Sequence, residues 1–342
     1  MCSMTTRVNL AVHAAATVTG AVPVLFDEVR AQARSSSYFH LLDKSCDWAL
    51  PFETRGLPAE AMQHLAPEAP VRIATAPAGT AAGDMAVAAS REALVQAAGG
   101  DAARVPAVAD SVRWLIYCHT TIDEISNGSI ACRLAHELQL KQCFPIALSQ
   151  SQVAGTFVAL QLAESLLAEA APGERVMIVA ADKWLFPFLR SHGRWGVASD
   201  GAGALVLGAG GAASGTRITS VSVASAPEAM WAPIDDLALP PPDPRTAQAV
   251  AAQALQCSGL DPDSVRTLVA GDRDDQGVPP PLVALIERLR RFEADSTDAG
   301  AGLIVLEGVH GDAGACTVAV PSRLAPAPVA GVSAVDTILE LA

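Results

Sequence analysis

The sequence predicts an α/β fold built as two similar halves, each a mixed, mainly parallel sheet with helices between its strands. Three observations carry this. Apolar runs of strand length alternate with stretches of helical periodicity along 342 residues, which is the pattern of parallel strands joined by crossover helices. The alternation runs through twice, the second time more weakly. Between the two passes lies Leu237–Arg245, with ALPPPDPR at its core; its prolines cannot enter a central strand or a helix interior.

Each element follows in order. Val8–His13 is the first predicted strand. Residues 18–70 carry few local signals and are assigned to helices and a loop over a pocket. Asp84–Ala98 is a helix, led in by Thr80 to Gly83 and stopped by Gly99-Gly100. Trp114–Cys118 is a strand, Ser129–Glu137 a helix, and Ile146–Leu148 a strand inside the apolar run Phe144–Leu148. A helix over 152–170 and strands Val176–Ala180 and Ala204–Leu207 complete the first half, residues 1–212. In the second half, residues 213–320, Thr216–Ala224 alternates as a strand and Arg245–Cys257 is a helix ending at Gly259. Strand Ser264–Ala270, helix Pro281–Arg291 and strands Gly302–Leu306 and Cys316–Val320 follow. Residues 321–342 form a Pro- and Ala-rich tail, then a short apolar end, Val335–Leu341, able to dock back.

Composition excludes several function classes. The chain is 51% hydrophobic, yet it has no unbroken apolar run of the length, about 18 residues or more, that a membrane span requires. Its first residues, MCSMTTRVNLAV, lack a basic leader and an apolar h-region, so no signal peptide is expected. Seven cysteines are scattered without a CxxC pair, which predicts free thiols in a reducing cytoplasm and no metal site. A net charge of −13 argues against nucleic acid, whose phosphates need a basic face.

The chemistry concentrates in Ser149–Leu160, SQSQVAGTFVAL. A strand there feeds a tight turn into a buried helix, the geometry that aims a nucleophile. Four further segments keep it company: WLIYCHTT at Trp114–Thr121, NGSIACRL at Asn127–Leu134, RVMIVAAD at Arg175–Asp182 and SDGAGALVLG at Ser199–Gly208. In this order and spacing the five segments resemble the N-terminal half of β-ketoacyl-acyl-carrier-protein synthase III and its relatives of the thiolase fold. The resemblance covers about Pro70–Gly210 well and the rest loosely. It implies the thiolase-like architecture, two αβαβα-layered halves. It also implies acyl-thioester metabolism of the fatty acid or polyketide type, with acyl-coenzyme A or acyl-carrier-protein thioesters as substrates and no bound cofactor.

In that family the turn reads roughly Ala-Cys-Ala-Gly, and its Cys accepts the acyl group. Matching the Ala-Gly to Ala154-Gly155 puts Val153 where the nucleophile belongs. The family's His is expected after the strand Ser264–Ala270, where this chain has GDRDDQG, Gly271–Gly277. Its Asn is expected just before Gly302–Leu306, where Ser296 or Asp298 stands. All three catalytic residue types are therefore absent from their expected places. The fallback nucleophiles are Ser151 and Ser149, each needing a base; Asp272, Asp274 and Asp298 are poor bases, and His192 and His310 are candidate imidazoles. His310 lies in the glycine-rich turn whose amides contribute to the family's oxyanion hole. Gln152, Ala154, Gly155 and Gly311 are the expected substrate-binding positions. Cys118 and Cys143 are read as structural thiols.

Gly201 and Gly203 precede a strand rather than a helix, so a dinucleotide cradle is excluded. The aromatic-rich Trp184–Trp195 lines either an acyl tunnel or a dimer interface. Arg288, Arg290 and Arg291 are the candidate patch for an acidic carrier protein, or else they complement a helix C-terminus. Three functions follow. The chain is a catalytically degenerate subunit paired with an active ketosynthase III-like homologue, an acyltransferase using serine, or a binding protein for an acyl chain or carrier protein. The family's dimerisation through the first-half sheet implies a homodimer or heterodimer here.

Overall fold

The computed structural model describes residues 2–19, 23–25, 28, 71–77, 79–121, 128–149, 152–184, 190, 197–210, 215–225, 244–269, 277–295, 300–308 and 312–320. In chain order these give β1 (Cys2–Thr19), β2 (Pro23–Leu25), β3 (Arg72–Ala74), α1 (Ala82–Ala97), α2 (Val105–Ser111), β4 (Val112–His119), α3 (Ile130–Glu137) and β5 (Phe144–Ser149). There follow α4 (Gln152–Ala168), β6 (Arg175–Asp182), β7 (Gly201–Ala209), β8 (Arg217–Ser225), α5 (Pro244–Ser258), β9 (Val265–Val269), α6 (Pro281–Asp295), β10 (Gly300–Glu307) and β11 (Ala313–Val320). The segment assigned to a cap, most of residues 18–70, lies outside the described residues, as do the proline-rich connection and the tail.

Local chemistry explains the element ends. The Asp84 carboxylate accepts the Ala81 N–H at 2.9 Å and so holds one of the orphan donors at the start of α1. Gly99 and Gly100, at φ 71° and 78°, stop that helix in the left-handed region. Strand β1 is far longer than the predicted Val8–His13. Register shifts between Arg7 and Leu10 on one side, and Val12 and Ala14 on the other, break the period-two pattern that would have revealed it.

Nine strands pair in the order β5-β4-β6-β7-β1-β8-β11-β10-β9. Numbering strands within each half exposes a duplication. The first half (β1, β4, β5, β6, β7) reads 3-2-4-5-1, and the second (β8, β9, β10, β11, with the third strand absent among the described residues) reads 2-4-5-1. In both, strand 4 runs parallel to strand 2, while strand 5 is antiparallel to strands 4 and 1. All but strand 5 thus share one direction, as the mainly parallel expectation requires. The halves join where β1 pairs antiparallel with β8.

Helix packing gives five layers. Helix α1 covers β1, β6 and β7 on the outer face of the first half, and α5 covers β8, β10 and β11 on that of the second. Between the halves, α4 touches β4 and β6 as well as β8 and β11, and α6 touches both β7 and β10. A helix wedged between two sheets must be apolar nearly all round. Helix α4 buries Val153, Phe157, Leu160, Ala163 and Leu167 in the central core, where α6 adds Leu282, Leu285, Ile286, Leu289 and Phe292. This is the αβαβα architecture that the motifs implied.

Candidate functional site

The parallel strands β4, β5 and β6 end together at the N-terminus of α4, so their last residues frame that helix end. Val153 occupies its first turn, is 5% exposed, and packs in the central core with Cys118 and Phe157. An isopropyl group there contributes packing and no chemistry. Ala154 is half-buried and Gly155 is buried; the Cys118 thiol reaches the Gly155 carbonyl at 3.8 Å. Gln152 opens the helix.

The group that faces this helix end comes from the other half. The connection from β10 to β11 delivers Asp312, 7% exposed, whose Oδ2 accepts the Ala154 N–H at 2.8 Å. Its Oδ1 has no hydrogen-bond partner. Burial pushes the Asp312 carboxyl up to about 6, against the opposing pull of the Ala154, Asp312 and Val153 amides. The turn is closed by the Gly308 N–H donating to the Asp312 carbonyl at 2.8 Å. Sequence reasoning passed over Asp312, two residues from His310. Its position beside a glycine-rich turn was the available signal.

Beside the helix end lies a cavity of about 10 Å³, room for roughly one water molecule. Cys118, His119, Gly155, Thr156, Asp182 and Pro281 are among its walls. Asp182, 3% exposed, accepts on Oδ1 the N–H groups of Thr120 (2.6 Å) and Thr121 (2.9 Å) and the Thr121 hydroxyl (3.3 Å). Burial still raises its carboxyl above the ordinary value. Burial and then the Asp182 charge push the Cys118 thiol up to about 12, far from a reactive thiolate. Cys143 precedes β5, about 20 Å from that strand's last residue at the usual strand rise; burial lifts its thiol to about 11.

Ser149, exposed at the end of β5, is in register with His119 on β4. His119 stacks on Tyr117 with ring centroids 5.2 Å apart, and its Nδ1 lies 2.8 Å from the Thr121 carbonyl oxygen. That contact calls for a proton on Nδ1 and leaves Nε2 as the acceptor. The register of a serine with a histidine across two strands was not read from the sequence. Ser151, Ser296, Asp272, Asp274, Asp298, His192, His310 and Gly311 lie outside the described residues, as does most of Trp184–Trp195.

The aspartate-glycine motif is structural. Asp200, 3% exposed, accepts the Ala76 N–H (2.9 Å), the Trp184 N–H (2.9 Å) and Arg190 Nη2 (2.7 Å), tying three chain segments together. The basic patch on α6 is also partly committed: Arg290 donates to the Thr17 hydroxyl (3.0 Å) and the Ala15 carbonyl (2.8 Å) of β1. Arg290, though exposed, thus ties the end of α6 to β1. No group of side chains among the described residues could hold a metal ion. No helix among them is long and apolar enough to cross a membrane.

No protein-family model matches the chain, and no curated protein matches it in sequence. Solved structures do match. One is the acyltransferase ChlB3, at 16% identity and TM-score 0.63, covering 92% of this chain and 98% of that one. Another is the 3-oxoacyl-(acyl carrier protein) synthase III, FabH, of Pseudomonas aeruginosa, at 16% identity and TM-score 0.60, covering 93% and 100%. A third is OleA of Xanthomonas campestris, at 13% identity and TM-score 0.61, covering 91% and 98%. Along nearly its whole length, the chain has the thiolase-like fold of ketosynthase III-type proteins.

Proposed function

We propose that the chain is a ketosynthase III-like protein of fatty acid or polyketide-type metabolism that serves as the non-catalytic member of a condensing-enzyme pair. The observation that carries this reading is Val153, a buried valine in the first turn of α4, where a nucleophile would gain from the helix dipole. Its surroundings support it: Cys118, which packs in the same core, is held as a thiol. The partner is an intact homologue or a second copy of the chain. The surface for it is the edge of β5, an outermost strand among the described residues, where Phe144 is 65% exposed. An unpaired edge carrying an apolar side chain is a template for pairing with another chain. A carrier protein would deliver the acyl group to the active partner, in the cytoplasm.

Intact-protein mass spectrometry tests the reading. The chain is incubated with acyl-coenzyme A and acyl-carrier-protein thioesters, alone and mixed with an intact homologue encoded beside it. An unmodified chain that raises its partner's turnover is the expected outcome; an acyl adduct on the chain itself sinks the reading.

A second reading is favoured by one observation, the register of Ser149 with His119. With Nδ1 protonated against Thr121, the imidazole Nε2 can take the serine proton and make Ser149 the acyl acceptor. An adduct mapped to Ser149 and lost in His119→Ala would establish it.

A further inference from the structure

We propose that Asp312 silences the start of α4: its carboxylate occupies the first-turn amides and disfavours a second negative charge at position 153, so the chain is closed to thiolate chemistry there by two residues rather than one. The inference rests on the reading that position 153 is where the fold aims a nucleophile.

The geometry is built rather than incidental. Asp312 arrives from the opposite half of the molecule, is 7% exposed, and places Oδ2 at 2.8 Å from the Ala154 N–H. A Cβ on Gly308 would overlap the Asp312 carboxylate, so that glycine leaves the space the carboxylate fills. A helix N-terminus stabilises a thiolate through free amide hydrogens and the positive end of the helix dipole. Here one of those amides already serves a carboxylate. A charge in that seat also repels a thiolate one residue away, with little water between them to screen it. No other charged side chain among the described residues perturbs the Asp312 carboxyl. A second buried carboxylate, Asp182, lines the adjoining cavity with Gly155 and Cys118. It is common to every variant below.

Restoring a thiol by Val153→Cys tests this without requiring that any reagent reach a buried site. The ultraviolet absorbance of the thiolate, taken as the difference from the unaltered chain across pH, gives the inflection of the introduced thiol. In Val153→Cys that inflection is expected above the ordinary thiol value of about 8.5. Adding Asp312→Asn is expected to lower it by about one unit or more, roughly tenfold more thiolate near neutrality. Asp312→Ala serves in the same background where the amide variant does not fold. An inflection unchanged by neutralising Asp312 overturns the proposal, and so does one at or below about 8.5 in Val153→Cys alone. An acyl adduct on the unaltered chain would sink the proposed function without moving this inflection, so the two failures are distinguishable.

Discussion

Asp312 carries the clearest single-residue signature. Burial lifts its carboxyl to about 6 from the ordinary value of 3.8, so the native state holds an extra proton between the two. Its stabilising contribution is full below about 3.8 and is lost as pH rises through about 6, leaving an ionised carboxylate that costs about 3 kcal/mol. Asp312→Asn is expected to gain stability relative to the unaltered chain at pH 8 and to keep only about half of that gain at pH 5, since the rest is lost only as pH falls to about 3.8. Urea unfolding at both pH values checks it, and an equal difference at the two would contradict the assignment. The cysteines make a second prediction at this scale. With Cys118 and Cys143 pushed up to about 12 and 11, neither forms a thioester with acyl-coenzyme A near neutrality, and peptide mapping of an acylated cysteine would refute this. Val153 was legible in the sequence because strand, turn and helix are contiguous there. Asp312 was not, because its partner Ala154 is 158 residues away.

Close packing of β11 on α4 is decided by Gly314. A Cβ at that position would overlap the Phe157 ring, which is fully buried in the central core. Gly314→Ala is expected to destabilise by roughly 1–3 kcal/mol through overpacking, and Phe157→Leu in the same chain to recover part of the loss. Chemical denaturation of the two single variants and the double variant measures the coupling; strict additivity would show that the contact is not what the glycine serves. Periodicity announced the apolar helix α4 and the strands that flank it. The full span of β1 stayed hidden because its two bulges shift the inward face midway.

The whole molecule is a duplicated unit whose halves are joined strand to strand, β1 against β8, and helix to helix, α4 beside α6. Among the described residues its sheet ends at β9 on one side and at β5 on the other. If the β5 edge carries the proposed dimer, Phe144→Asp yields a monomer by size-exclusion chromatography with light scattering, while leaving the monomer fold intact by circular dichroism. A dimer that persists in that variant would place the interface elsewhere. The shared 3-2-4-5-1 strand order could not be read along the chain, because strand pairing is non-local and one chain offers no record of which strands meet.

The sequence by itself determined the fold class, the two passes, and a valine at the start of the central helix, because periodicity, turn residues and a contiguous motif are local properties. Only the tertiary structure decided what surrounds that valine. It set Asp312 of one half on the first turn of a helix in the other, put His119 beside Ser149, and left the cavity next to them room for roughly one water. These are relations between residues far apart in the chain, and burial, which sets their charge states, exists only once the layers have packed.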